Sequence, residues 1–321
     1  MKTGLSKAFF YCLLVCAGGA PAQDYPARPV KIVVPYAAGG VPDVLGRTVG
    51  QRLSEMLSQQ FLVENRPGAG GISAVMAVVK APADGYTLLL SDPGQTAINQ
   101  HLFDSLPYDT LRDLVPVTIL AYSAPFVVVN PSAGINSFTE LVAYAKANPG
   151  KLAYGSAGIG SSLHIAMESL KASLGIDLVH IPYKGSGQSV PAFLGGEVPL
   201  VVTALTALGP HVKSGKAKLL AVTSAKRSPQ APDVPAVGEF IPGYDFTAEL
   251  GFLAPRGTPA AVVSKLSAEV AKAVKHPETA ARLTQLNLDP AGSTPEAFTA
   301  VIRGNQARYA TAVKLSGAKS N

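Results

Sequence analysis

The chain has 321 residues and a mass of 33.0 kDa, which suits two domains of ordinary size better than one small domain. Hydrophobic residues make up 47% and charged residues 15%, with a mean hydropathy of +0.24, which excludes a mainly disordered chain. The formal charge of +6 is dispersed, and aromatics are 7% with no Trp, so neither a nucleic-acid partner nor an aromatic sugar platform is indicated.

Residues 1–22 form a targeting segment. Lys2 and Lys7 give a positive start, Ala8 to Ala17 is a short apolar run, and Ala20-Pro21-Ala22 is a small-x-small cleavage site. The apolar run is well short of the roughly 18 residues of a membrane span. Both cysteines, Cys12 and Cys16, lie in this segment, so the mature chain has no disulfide, thiol nucleophile or Cys-ligated zinc. Leu13-Leu14-Val15-Cys16 resembles a lipid-attachment box, but Val15 stands where a small residue is wanted, and soluble export is the preferred reading over lipid anchoring at Cys16.

Beyond the leader, short apolar runs alternate with helical patterns. Val30 to Pro35 reads as a buried parallel strand, and Pro42 to Ser58 as a helix with Val44, Leu45, Val49, Leu53, Met56 and Leu57 on one face. Strands follow at Phe61 to Val63 and Tyr86 to Leu90. Ser137 opens a helix with a capping box to Glu140. Leu152 to Tyr154, Asp177 to Ile181, Val198 to Val202 and Leu219 to Thr223 read as strands, with helices over Ser162 to Leu174 and Ser186 to Leu194 between them. Thr258-Pro259 and Thr294-Pro295-Glu296 open the last long helices. The alternation predicts an α/β protein with parallel sheets flanked by helices.

Two strand-to-helix turns carry the chemistry. In Pro35-Tyr36-Ala37-Ala38-Gly39-Gly40-Val41-Pro42-Asp43, small residues let the backbone approach a ligand, and the helix start presents unpaired N–H groups to a carboxylate or phosphate. Asp43 either satisfies the helix dipole or accepts a bond from a ligand. The second turn, Tyr154 to His164, adds the hydroxyls of Ser156, Ser161 and Ser162, one of which is an N-cap. Lone His164 lines a cleft or is a structural hydrogen-bonder, and Tyr183-Lys184-Gly185 offers a Lys near a strand end that is either a ligand contact or, the preferred reading, a surface turn. There is no P-loop, no nucleophile elbow and no metal spacing among His101, His164, His180, His211 and His276. Gly68-Ala69-Gly70-Gly71 matches only part of a dinucleotide fingerprint.

These residues resemble the tripartite tricarboxylate transporter substrate-binding receptors, the Bug family of periplasmic solute-binding proteins. The matching stretches run in order through the mature chain: Tyr25 to Pro29, Val33 to Gly40 with Asp43 and Arg47, Val63 to Gly71, Asp84 to Leu88, Leu106 to Asp109, Tyr144 to Gly150, Gly155 to His164, Pro182 to Gly185, Ala221 to Ser224 and Ala254 to Pro259. The resemblance implies an α/β two-lobe periplasmic-binding-protein (Venus-flytrap) fold, each lobe a mostly parallel sheet flanked by helices. Residues 23–122 with 246–321 would form lobe 1 and residues 123–245 lobe 2, with a ligand cleft between them. It implies a monomeric receptor rather than an enzyme, with no cofactor and no metal, which captures a small carboxylate and presents it to membrane permease subunits. The ligand-binding residues implied are Tyr36, Ala38, Gly39 and Asp43 on one lobe, and Ser156, Gly158, Gly160, Ser161 and His164 on the other. Asn65-Arg66-Pro67-Gly68 would be structural and remote from the ligand.

Two positions depart from the family pattern. Thr203-Ala204-Leu205-Thr206 stands where an Asp-Asn pair is common, which brings Thr203 into the expected site, and Glu249 stands near a usual aromatic. If Glu249 faces the cleft it calls for a cationic or donor-bearing ligand group; otherwise it points to solvent. The alternative functions are a ligand sensor feeding a signalling system and, less favoured, an enzyme acting on a small acid.

Overall fold

The computed structural model describes residues 25–318, so the leader with Cys12 and Cys16 lies outside the described residues. The first stretch comprises β1 (Val30–Val34), α1 (Val41–Leu57), β2 (Phe61–Asn65), α2 (Ile72–Val79) and β3 (Thr87–Ser91). A π-helical turn then leads into α3 (Asn99–Leu102), α4 (Thr110–Asp113) and the long β4 (Leu114–Ser123). Next come β5 (Pro125–Val129), α5 (Phe138–Ala147), β6 (Ala153–Ser156), α6 (Ser162–Leu174) and β7 (Val179–Pro182). These are followed by α7 (Ser186–Leu194), β8 (Leu200–Ala204), α8 (Gly209–Lys213) and β9 (Lys218–Val222). The chain ends with β10 (Ala248–Pro255), α9 (Ala260–Lys275), α10 (Pro277–Gln285), the short β11 (Asp289–Pro290) and α11 (Pro295–Ser316).

Two sheets result. The six-stranded sheet has the order β11-β4-β10-β3-β1-β2 and the five-stranded sheet β7-β6-β8-β5-β9. The expected parallel pairing holds where strands are joined through helices, at β1 with β2 and β3 and at β6 with β7 and β8. The strands next to the crossings between sheets run antiparallel: β10 against β3 and β4, and β5 against β8 and β9. Both sheets are therefore mixed rather than mostly parallel. A continuous apolar run such as Pro125 to Val129 is buried on both faces in either direction, so its composition carries no sign of its pairing sense.

Each sheet is covered on both faces. In β1, Ile32 and Val34 pack under Leu45, Val49 and Leu53 of α1, while Val33 turns to Val75 and Val78 of α2 and Phe298 of α11. This is the period-two alternation of a strand buried on both sides. Helix starts follow local chemistry. Ser137 Oγ accepts from Glu140 N at 3.1 Å, and Glu140 reaches back to Asn136 N at 2.7 Å, one residue before the expected partner. Thr294 Oγ1 accepts from Ala297 N at 3.2 Å with Pro295 in the first position of α11. Thr258 does not cap α9; its hydroxyl donates back to Pro255 O at 2.8 Å, and Pro259 takes the cap position.

The chain crosses between sheets at Ala124, between β4 and β5, and again before β10, where Phe246 N donates to Thr223 O and Thr223 N to Pro125 O, both at 2.8 Å. The last helix joins the two layers differently. Its Phe298 and Ile302 belong to the core under the first sheet. Its Tyr309, Ala312 and Val313 belong to a core shared with Ile165 and Ala166 of α6 and with Ile98 and Leu102.

Candidate functional site

The loop from β1 to α1 is held by one carboxylate. Asp43 is buried at 3% exposure, and its Oδ2 accepts from Gly39 N at 2.9 Å. Its Oδ1 accepts from Arg47 Nε and from Asn65 Nδ2, both at 3.0 Å. Asn65 also donates to Tyr36 O at 3.0 Å, so the end of β2 anchors the loop from below. Burial works against the Asp43 charge, but the donors from Arg47, Gly39 and Asn65 outweigh it and hold the carboxyl below its ordinary value. Asp43 thus ties Gly39, Arg47 and Asn65 together and holds the loop in place. Gly40, the N-cap of α1, makes no side-chain cap, which leaves the helix start open. Asp43→Ala should cost about 1–3 kcal/mol of stability, because it removes the charged acceptor shared by Gly39 N, Arg47 and the half-buried Asn65 amide, and it should weaken ligand capture by loosening the loop. Denaturant unfolding together with calorimetry checks this; an unchanged unfolding midpoint would refute the anchoring role.

The loop from β6 to α6 is built on a stacked pair of imidazoles, the buried His164 and the half-buried His180. Ser161 caps α6, accepting from His164 N at 3.2 Å and donating to Gly158 O at 2.8 Å. Gly160 N donates to His164 Nδ1 at 3.2 Å, which leaves the ring proton on Nε2. His164 stacks on His180 with ring centroids 4.0 Å apart, and His180 Nε2 lies 2.7 Å from Ser156 Oγ. Burial, then its neighbours His164 and Lys171, push His180 down to about 3, and burial also lowers His164. Both rings are neutral at physiological pH and serve as a rigid floor for the loop.

Between the two loops lies a cavity of about 450 Å³. Tyr36, Ala38, Val41 and Pro42 line it from one side, Ser161, Ser162 and Leu163 from the other with Ala204 at the end of β8, and Ser123, Pro125, Ala248 and Leu250 from the crossing strands. Among the expected site residues, Tyr36, Ala38 and Ser161 reach this cavity. Gly39, Asp43, Ser156, Gly158, Gly160 and His164 lie in the layer that shapes its two loops. Thr203 is fully buried and donates to Ser186 Oγ at 3.1 Å, so it touches the lining only through Ser186.

Glu249 faces neither this cavity nor solvent. Its neighbours Ala248 and Leu250 line the cleft, so strand alternation turns Glu249 to the opposite face of β10. There, at 1% exposure, it contributes to a separate cavity of about 440 Å³ with Tyr122, Asp245, Asn305 and Arg308. Asn305 Nδ2 donates to Glu249 Oε2 at 2.6 Å.

Some lining residues lie outside the expected set or follow the less favoured reading. Pro67 reaches the cavity although its neighbours Asn65 and Arg66 hold structure, and Lys184 to Gln188 form part of its wall rather than a plain surface turn. Asp92, at the end of β3, lies in the cavity at 9% exposure. The available signal was topological: in open α/β sheets the ligand crevice lies beyond the carboxyl ends of the parallel strands, and Asp92 and Lys184 follow β3 and β7 in the same way that the two glycine turns follow β1 and β6.

Two α/β lobes with a cavity between them, walled by the loops at their strand ends, define a solute-binding receptor. The chain belongs to the TctC family, the tripartite tricarboxylate transporter family receptors, which it matches over residues 45–317. It is 35% identical over 307 residues to protein BugT of Bordetella pertussis, covering 94% of each chain. Among solved structures, Rpa4515 of R. palustris with adipate superposes with a TM-score of 0.87 at 33% identity, covering 92% of this chain and 99% of that one. MatC of Rhodopseudomonas palustris with bound malate superposes at 0.83 with 29% identity, covering 90% and 100%.

Proposed function

We propose that the protein captures a small carboxylate in the periplasm and delivers it to the membrane permease subunits of a tripartite tricarboxylate-type transporter, without chemistry on the ligand. The observation that carries this reading is that the starts of α1 and α6 open onto one cavity from opposite sides. Two helix N-termini concentrate N–H donors and positive dipole ends on whatever lies between them. A carboxylate bound there favours the closed arrangement through contacts with both walls, and closure presents a surface to the permease. The adipate and malate held by the two solved relatives support the ligand class. The charged start, apolar run and small-x-small site of residues 1–22 support export.

Thermal melting of the mature protein, unfolded and refolded to strip carried ligand, tests the reading against dicarboxylates, tricarboxylates, amino acids and pyridine carboxylates. A ligand at a hundred times its dissociation constant should add about 2.7 kcal/mol. A sharp melt that no acid moves would overturn carboxylate capture.

A further inference from the structure

The cavity has an uneven electrical lining. Its walls are mainly aliphatic, from Ala38, Val41, Leu163, Ala204 and Leu250. Among the described lining residues, Asp92 is the carboxylate and Lys184 the cation. Asp92 is close to buried, while Lys184 is exposed. The donors that hold Asp92 are neutral groups: Tyr36 Oη donates to Oδ2 at 2.7 Å and Gly94 N to Oδ1 at 2.7 Å. Gln95 Nε2 in turn donates to Tyr36 Oη at 3.1 Å, which fixes the direction of the phenol proton toward Asp92. Each carboxylate oxygen therefore already accepts a bond, as an ionised Asp requires, and each keeps a second lone pair. These bonds orient the charge without neutralising it. Burial raises the carboxyl above its ordinary value, and the Tyr36 and Gly94 donors work against that rise.

We infer that Asp92 receives a cationic nitrogen of the ligand, so that the substrate class is a zwitterionic amino carboxylate with an aliphatic body rather than a dicarboxylate. The inference rests on the carboxylate reading above and narrows it. A dianion would bring like charge against the nearly buried Asp92, and like charges juxtaposed across an interface cost several kcal/mol. An amino carboxylate brings no net charge. Its carboxylate meets the two helix starts, and its ammonium meets Asp92. The aliphatic walls accept the chain between them.

Matched six-carbon acids provide the test: hexanoate, adipate, 6-aminohexanoate and norleucine, titrated calorimetrically into refolded wild type and Asp92→Asn. At least one of the amino acids should bind about tenfold or more tighter than both hexanoate and adipate. Asp92→Asn, which keeps the side-chain shape, should remove most of that advantage and bring adipate closer. Its unliganded melting curve reports whether it has folded. Adipate or hexanoate binding as tightly as the amino acids in wild type would overturn this inference and leave carboxylate capture standing. An ammonium preference that survives Asp92→Asn would overturn the role of Asp92. Failure of every acid to bind would remove the carboxylate reading and this inference with it.

Discussion

Gly160→Ala should weaken ligand binding by at least about tenfold and lower the melting temperature, although the substitution adds a single methyl group. Two costs add at this position. Gly160 has a φ of +76°, where any residue with a Cβ costs about 1–2 kcal/mol. A Cβ here would also lie 2.3 Å from Leu102 Cδ1, well inside contact distance. Overpacking of this kind costs about 1–3 kcal/mol. Leu102 comes from α3, so the clash falls between the β6–α6 loop and the other lobe, and it pushes the loop away from the cavity that Ser161 lines. A double-mutant cycle with Leu102→Ala separates the two costs. The second substitution should relieve the clash and leave the backbone strain, so the coupling is favourable and recovery is partial. Calorimetric titration and melting curves check this. Wild-type affinity and stability in Gly160→Ala would show that the loop is free to move and is not held at its observed conformation.

Glu249→Gln should stabilise the protein at pH 8 and leave it little changed near pH 5. Burial pushes the Glu249 carboxyl up to about 7; bonds from its own backbone and from Asn305 pull it down, Asp92 pushes it further up, and Arg308 lowers it. A carboxyl raised in the folded state favours the protonated form there. Its stabilising effect is complete below the unfolded value near 4.5, and it is lost as pH rises through the folded value of about 7. At pH 8 the full difference is about 3 kcal/mol, at the upper end for a buried group. Glutamine keeps the oxygen that Asn305 Nδ2 bonds and cannot ionise. The variant should therefore flatten the alkaline limb of a stability–pH profile, with a gain of several degrees at pH 8. The imidazole pair under the second loop has the opposite sign: the lowered His180 contributes stability above the unfolded value of 6.5, which is lost as pH falls toward about 3. Glu249→Gln should leave that acid limb untouched. A variant less stable than wild type at pH 8 would mean that Glu249 is ionised and paired with Arg308.

The two glycine turns were legible in the sequence because their cause is local. Small residues after an apolar run, followed by a helix-starting Pro or Ser, need no distant partner to be recognised. The same holds for α6 and α7, whose limits agree with the residues read from periodicity. The crossing strands β4, β5 and β10 were not legible in this way, since their pairing is set by residues far away in the chain. Glu249 shows the limit clearly. Alternation along β10 implies that it opposes Ala248 and Leu250, but which face meets the cleft depends on where the other lobe sits. Asp92 was hidden for a similar reason: a polar residue before Pro93 reads as an ordinary turn until β3 is placed beside β1.

Helix α11 bears on how far such a molecule can move. Two extended strands crossing side by side at Ala124 and Ala248 act as a strip that can both bend and twist. A stiff rod fixed at one end in the first core through Phe298 and Ile302, and at the other in the second through Tyr309 and Val313, resists much of the bending. What survives most freely is a short rocking stroke about the rod itself. A helix anchored in both cores favours selection of cargo by the chemistry of the walls over selection by the width of the jaws.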